Sequence, residues 1–348
     1  MRTNIKKIMV ACLLTMTMIL TACSSGMAGK NDKIKIVCTL FPQYDWAREI
    51  MGENDNIELV LLCESGSDLH SFQPTADDII TISSCDMFIY GGGVSDKWVE
   101  DTLKQATNKD MIIINMMDVI GENAKKEEVV EGMEAHDHKH EDESHEHSED
   151  AESQEHTDSN HDNYFDPTGY DEHLWLSITN AKLVCDEIFR GLCKLDEANK
   201  DAYQSNLNCY KAKLDELDGR YKAMVESATL DTILVADRFP FRYLTSEYGI
   251  NYYAAFVGCS SETEASFETV TFLAKKVDEL GLKYVIVVDG STKDVARTVI
   301  ESTASRNQTI LILDSMQSVG KNKIDTGATY LSIMEGNLDV LAQVLENQ

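Results

Sequence analysis

Nine histidines are the residues of this chain best equipped for chemistry, and their spacing divides them into two groups. Seven crowd one acidic stretch: His136, His138, His140, His145, His147, His156 and His161. His70 and His173 stand alone, in GSDLHSFQPTADD and DEHLWLSIT. Imidazole is the commonest metal-ligating side chain. A histidine-rich tract set among carboxylates is a composition that gathers transition metal at weak, exchangeable sites. The two solitary histidines are then candidates for a second, ordered site. A divalent ion held there needs further deprotonated donors. Asp237, Asp289 and Asp314, each closing an apolar run, could supply them, as could Glu264. Each also has a bland reading: a loop histidine, an aspartate at a turn or helix N-cap, a glutamate favoured by the dipole of a helix start.

For such groups to meet, the chain between them must fold back repeatedly, and its periodicity says how. From Lys33 to Val119 strand-like runs (Ile34–Cys38, Ile57–Cys63, Asp86–Tyr90, Met111–Asn115) alternate with helix-like ones (Tyr44–Met51, Ala76–Ser84, Lys97–Ala106). Thr179–Leu192 reads as a helix, and Asp196–Val225 as a longer one with no proline and no glycine before Gly219. A second alternation follows, with strands Thr232–Ala236, Tyr252–Val257, Tyr284–Asp289 and Thr309–Leu313. Its helices are Arg242–Tyr248, Ser266–Leu280, Lys293–Ser302 and Tyr330–Leu345. This is an α/β pattern: two lobes, each a parallel-type sheet flanked by helices, joined by one long helix. Ligands of open α/β sheets bind beyond the carboxyl ends of the strands. His70, Asp237, Asp289 and Asp314 fall there, so the expected site is a cleft between the lobes.

Residues 121–163 break every periodicity and carry 16 acidic against 3 basic residues, so they read as a disordered acidic insert of the first lobe. The whole chain has a formal net charge of −29, which makes nucleic acid and anionic substrates poor partners and cations good ones.

The N-terminus reads as an address rather than as fold. Arg2, Lys6 and Lys7 precede the apolar run Ile8–Leu20, too short to span a bilayer comfortably. Leu20-Thr21-Ala22-Cys23 resembles a bacterial lipobox, which implies cleavage before Cys23 and lipid on its thiol. The expected organisation is a signal peptide (1–22), a lipidated tether (23–32), a first lobe (33–195), a linking helix (196–227) and a second lobe (228–348), extracytoplasmic and anchored to the membrane. Beyond Cys12 and Cys23, seven cysteines remain: Cys38, Cys63, Cys85, Cys185, Cys193, Cys209 and Cys259. Most lie in apolar segments and read as small buried hydrophobes with free thiols. A disulfide and thiolate ligation of a metal stay open as alternatives.

Eight segments, in order along the mature chain, resemble the metal-specific solute-binding lipoproteins of ABC importers, above all the zinc-uptake type. They are VCTLFPQYDWAREIMG, GSDLHSFQPTADDI, YGGGVSDKWVE, DEHLWLSITNAKLV, ADRFPFRYLTSEYGI, SSETEASFETV, LILDSM and ATYLSIMEGNLDVL. The resemblance implies a rigid linking helix, a metal held in the cleft by His70 and His173, and delivery to a membrane permease by a monomeric carrier. It implies Asp314 as an aspartate ligand. In ADRFPFRYL the zinc type usually has a histidine and the manganese type a glutamate; this chain has neither. Counting forward puts Asp237 at that position and counting back puts Arg238 there, so an extra residue lies within the segment. Arginine cannot ligate, which favours Asp237. The expected cargo is Zn2+, favoured by nitrogen donors and by the insert, with Mn2+ or iron as the alternative. A surface adhesion lipoprotein is a rival role. An enzyme is not expected: HExxH, Gly-x-Ser-x-Gly and P-loop patterns are all missing.

Overall fold

The computed structural model describes residues 33–66, 68–134, 169–260 and 264–346. Cys23 and the seven insert histidines lie outside the described residues.

The first lobe runs β1 (Ile34–Cys38), α1 (Phe41–Met51), β2 (Ile57–Leu61), α2 (Ala76–Ser84), β3 (Met87–Tyr90), α3 (Lys97–Lys104), β4 (Ile112–Asn115) and α4 (Met116–Ile120). Its strands pair in the order β2-β1-β3-β4, parallel throughout. Sheets covered by helices on both faces need apolar residues on both sides of each strand, and IKIVC and MFIY supply them. The Thr75 hydroxyl and the Asp78 carboxylate each accept from the other's backbone N–H, which starts α2 at a fixed residue.

Two helices follow, α5 (Ile178–Leu195) and the linking helix α6 (Lys200–Ser227). The 28 residues of α6 span about 42 Å. Tyr203, Leu207, Tyr210, Leu214, Leu217 and Tyr221 recur every three or four residues and form its buried stripe. The second lobe comprises β5 (Thr232–Phe239), α7 (Arg242–Tyr248), β6 (Asn251–Val257), α8 (Phe267–Leu280), β7 (Tyr284–Val288), α9 (Asp294–Ser302), β8 (Thr309–Leu313), α10 (Lys321–Asp325) and α11 (Tyr330–Glu346). Its sheet is again parallel, in the order β6-β5-β7-β8. In both sheets the order reverses beside the first strand, and that crevice is where such sheets bind ligands.

Two local features differ from the sequence reading. Strand β5 extends to Phe239 through a bulge: Val235 pairs with Ala254 but Arg238 with Phe256, so β5 holds one residue more than its partner over that stretch. Asp237 lies in the bulge. The second difference is the start of the insert. Residues 124–134, expected to be disordered, are packed against the rest of the protein. Lys126 bridges Tyr170, and Glu134 bridges Phe256 at the open edge of the second sheet. Lys125 N–H donates to the Tyr243 hydroxyl (3.0 Å). Arg242 pairs with Glu128, and Met133 is buried. Isolated bridges, a few side-chain bonds and one anchoring methionine hold this segment, and none of these leaves a periodic signature in sequence.

One apolar cluster takes in residues of both lobes and of α6, from Ile36 and Trp46 through Tyr210 to Val235 and Leu313. Helix α11 reaches back across it: Tyr330 N–H donates to Asp45 of α1 (2.7 Å) and the Tyr330 hydroxyl to the carbonyl of Trp175 (2.8 Å). Among the described residues, no helix is long and apolar enough to cross a membrane.

Candidate metal centre

His70 sits in a single helical turn, Leu69–Ser71, beyond β2, and His173 just before another, Leu174–Leu176. They are 103 residues apart in sequence, yet their Nε2 atoms lie 3.3 Å apart. His173 is fully buried and His70 partly so, with the rings edge to face at 5.4 Å. Trp175 packs on the far side of His173, 5.5 Å between ring centres, fixed by its Nε1–H bond to the carbonyl of Ser315 (2.8 Å).

The outer nitrogens fix how the rings face. His173 Nδ1 lies 3.0 Å from Oδ1 of Asp171, which also accepts the backbone N–H of His173 (2.8 Å). A carboxylate only accepts, so Nδ1 carries the proton. His70 Nδ1 meets the Ser95 hydroxyl (2.9 Å), and that hydroxyl donates its one proton to Oε2 of Glu172 (2.5 Å). Nδ1 of His70 is therefore also a donor. In the neutral rings both Nε2 lone pairs then point at the same small space, an arrangement that calls for a cation between them. Carboxylate-anchored imidazoles of this kind are the usual outer support of metal-ligating histidines.

Close backbone approach makes the support possible. A Cβ on Gly93 would lie 1.9 Å from Oε1 of Glu172, which accepts the Ser95 N–H (2.7 Å). A Cβ on Gly258 would lie 2.9 Å from the Phe239 carbonyl oxygen and 3.1 Å from the His173 ring. The next residue, Cys259, completes a group: His70, His173 and Cys259 offer ligand atoms all within 4.8 Å of one another. It is the one such group of histidine, cysteine or acidic donors among the described residues.

Three carboxylates surround this group. Asp171 and Glu172 are buried, and Glu127 lies beside Cys259. Burial and the neighbouring Asp171 push Glu127 up to about 7. Burial opposes ionisation of Glu172, but the His70 and Ser95 donors outweigh it and hold Glu172 below its ordinary value. Burial likewise opposes protonation of His173, yet Asp171, Glu127 and Glu172 hold its pKa above the usual imidazole value. Burial and the same three acids raise the Cys259 thiol. Oδ2 of Asp171 and Oε1 of Glu127 are buried without a hydrogen-bond partner. The enclosure is built for positive charge.

The other expected donors lie elsewhere in the hydrogen-bond network. Asp237 uses Oδ1 to accept the N–H of Arg238 (2.8 Å), while its Oδ2 is buried and unpartnered. The Arg238 guanidinium reaches across to Asp68 (2.9 Å), whose other oxygen accepts the N–H of His70 (3.0 Å). Asp314 pairs with Lys323 (3.2 Å) and accepts the N–H of Met316 (2.8 Å). Asp289 accepts from the N–H and hydroxyl of Ser315, 2.8 Å each. Asp289 and Asp314 thus shape the turn after β8 that holds Trp175. Glu264 is exposed. The sequence reading missed Ser95, Glu127, Asp171, Glu172 and the placement of Cys259. Asp171 and Glu172 adjoin His173, and Cys259 follows the carboxyl end of β6, so the strand-end argument could have found it. Of the seven described cysteines, Cys38, Cys63, Cys85 and Cys185 are buried, whereas Cys209 is exposed and Cys193 and Cys259 are partly exposed.

Residues 36–344 match the sequence model of a family described as zinc-uptake complex component A, periplasmic. The zinc-binding protein AdcA of Streptococcus pyogenes serotype M3 is 27% identical over 315 residues, 89% of this chain. The chain spans 56% of the length of that relative. The high-affinity zinc uptake system protein ZnuA of Bacillus subtilis is 27% identical over 339 residues, covering 97% of this chain and 96% of the relative. Among solved structures, the metal-dependent lipoprotein YcdH of Bacillus subtilis superposes with a TM-score of 0.68 at 24% identity, over 90% of this chain and 100% of that one.

Proposed function

The chain belongs to the zinc-uptake component A family, and from that premise we propose that it is the zinc-capturing component of an ABC metal importer. It works outside the cytoplasm, held to the membrane by lipid on Cys23, and hands its cargo to a membrane permease. One observation carries the reading: two imidazoles, one fully and one partly buried, each with Nδ1 held by a carboxylate or a carboxylate-backed hydroxyl, face each other through Nε2 at 3.3 Å. Two ligands of a tetrahedral zinc ion at 2.0–2.1 Å stand roughly 3.3–3.4 Å apart. The pair is thus already spaced to receive the ion.

Capture draws on charge before contact. The field of a chain with net charge −29 concentrates cations around it. Asp171, Glu172 and Glu127 then offset the charge of an ion stripped of its water. Nitrogen donors favour zinc over manganese. The third position remains, for this reading, a carboxylate or thiolate of the second lobe, with Asp237 and Asp314 as the acidic candidates. Chelator-competition titration of the chain from Ser24 onward tests the reading. The expected result is one tight zinc, far weaker manganese, and loss of the tight site in His70→Ala and His173→Ala. Tight manganese with weak zinc, or no tight site, overturns it.

A further inference from the structure

We propose that Cys259 is the third ligand of the captured ion, its Sγ bonding the metal beside His70 Nε2 and His173 Nε2. The proposal rests on the zinc-capture reading and replaces the carboxylate expected in that position.

The placement comes from three directions. Cys259 stands at the turn after β6, and its ligand atom lies within 4.8 Å of those of both histidines. In tetrahedral zinc with one sulfur at 2.3 Å, sulfur and nitrogen are separated by roughly 3.6 Å, so a shift on the order of 1 Å closes the triangle. The turn faces acidic partners: Glu127 lies beside Cys259, and Sγ is 4.0 Å from Oε2 of Glu172. Gly258 lets this turn pass against the His173 ring, where a side chain would meet the Phe239 carbonyl.

The competing donors are worse placed. Asp237 gives one oxygen to its neighbour's N–H and leaves the other unpartnered, but it falls outside the group of ligand atoms within 4.8 Å of one another, and Arg238 goes to Asp68. Asp314 is committed to Lys323 and to the turn it caps. A set of two imidazoles and one thiolate is softer than one finished by carboxylates, and it shifts preference further toward zinc and away from manganese. As the sulfur–metal bond forms the S–H bond breaks, and its proton leaves to buffer.

The test uses the full mature chain and one equivalent of metal. Zinc-edge X-ray absorption should show one sulfur at about 2.3 Å among nitrogen or oxygen neighbours. Cobalt(II) should give a thiolate-to-metal charge-transfer band in the near ultraviolet. Cys259→Ser should lose the band and weaken zinc at least tenfold, while Asp237→Ala keeps the band. A zinc shell without sulfur, or a band that survives Cys259→Ser, overturns the proposal and leaves zinc capture standing. Absence of any tight metal overturns both. The absorption measurement on the unaltered chain decides the matter even where Cys259→Ser does not fold.

Discussion

Asp171→Asn separates the charge of the outer carboxylate from its shape. Oδ1 of Asp171 accepts both the backbone N–H and Nδ1–H of His173, at 2.8 and 3.0 Å. An asparagine carbonyl can keep both bonds, so His173 should hold its place and tautomer. What disappears is a buried negative charge backing a ligand. Loss of such outer support typically costs 10–100-fold in metal affinity, or about 1.4–2.7 kcal/mol. The metal-free chain should respond in the opposite sense. Asp171 is among the causes that raise Glu127 to about 7, so removing it relieves repulsion between buried acids. Zinc affinity by chelator competition, read beside thermal melting in excess chelator, should therefore show weaker binding with an unchanged or higher metal-free melting temperature. Asp171→Ala is the contrast, since it strands a buried N–H at a cost of about 1–3 kcal/mol and should lower both. Unchanged affinity in Asp171→Asn, or parallel losses of affinity and metal-free stability, would refute the reasoning.

Other outcomes follow from the same network. Burial raises Asp45 and Asp96 to about 6 each, so the folded chain takes up protons there that the unfolded chain does not. Metal-free melting temperature should accordingly rise, on the order of 5 °C, as pH falls from 7 to 5. It should drop again below about 4, where Asp68 and Glu172, both held low, become protonated; a monotonic fall from pH 7 would contradict this. Gly258→Ala presses a methyl group against the Phe239 carbonyl and the His173 ring, an overpacking worth about 1–3 kcal/mol, and should weaken zinc while the far-ultraviolet spectrum stays the same. Removing residues 136–161 should abolish the weak metal sites and spare the tight one. A deletion beginning at residue 121 should damage the tight site too, because it takes Glu127 away from Cys259.

The alternation of strands and helices, and the long helix between two sheets, could be read from hydrophobic period because those elements bury regular faces. His70 and His173 could be singled out because they stand in the short motifs that carry the family resemblance, and the fold brings their Nε2 atoms together. The third position could not. Forward and backward counting in ADRFPFRYL disagree by one residue, and the β5 bulge falls within that same segment. A bulge re-aims side chains without changing their order, so Asp237 and Arg238 could not be oriented from spacing alone. Cys259 was hidden by its type: a cysteine ending an apolar strand looks like core until the opposite lobe is in place. The packed start of the insert, 124–134, was hidden for a related reason, since its partners Tyr243, Arg242 and Phe256 lie more than a hundred residues away.

The apolar cluster shared by both lobes and α6 also determines how the molecule comes apart. Two lobes with separate interiors would melt as two units and could swing about the helix between them. Here Tyr330 ties the last helix to the first lobe through Asp45 and the Trp175 carbonyl, and Trp175 donates in turn to the Ser315 carbonyl of the second lobe. Heating should produce one cooperative transition, with calorimetric and van't Hoff enthalpies in agreement. A shared interior of this kind favours opening for cargo by local movement of the turns that carry His70 and Cys259 over a swing of whole lobes.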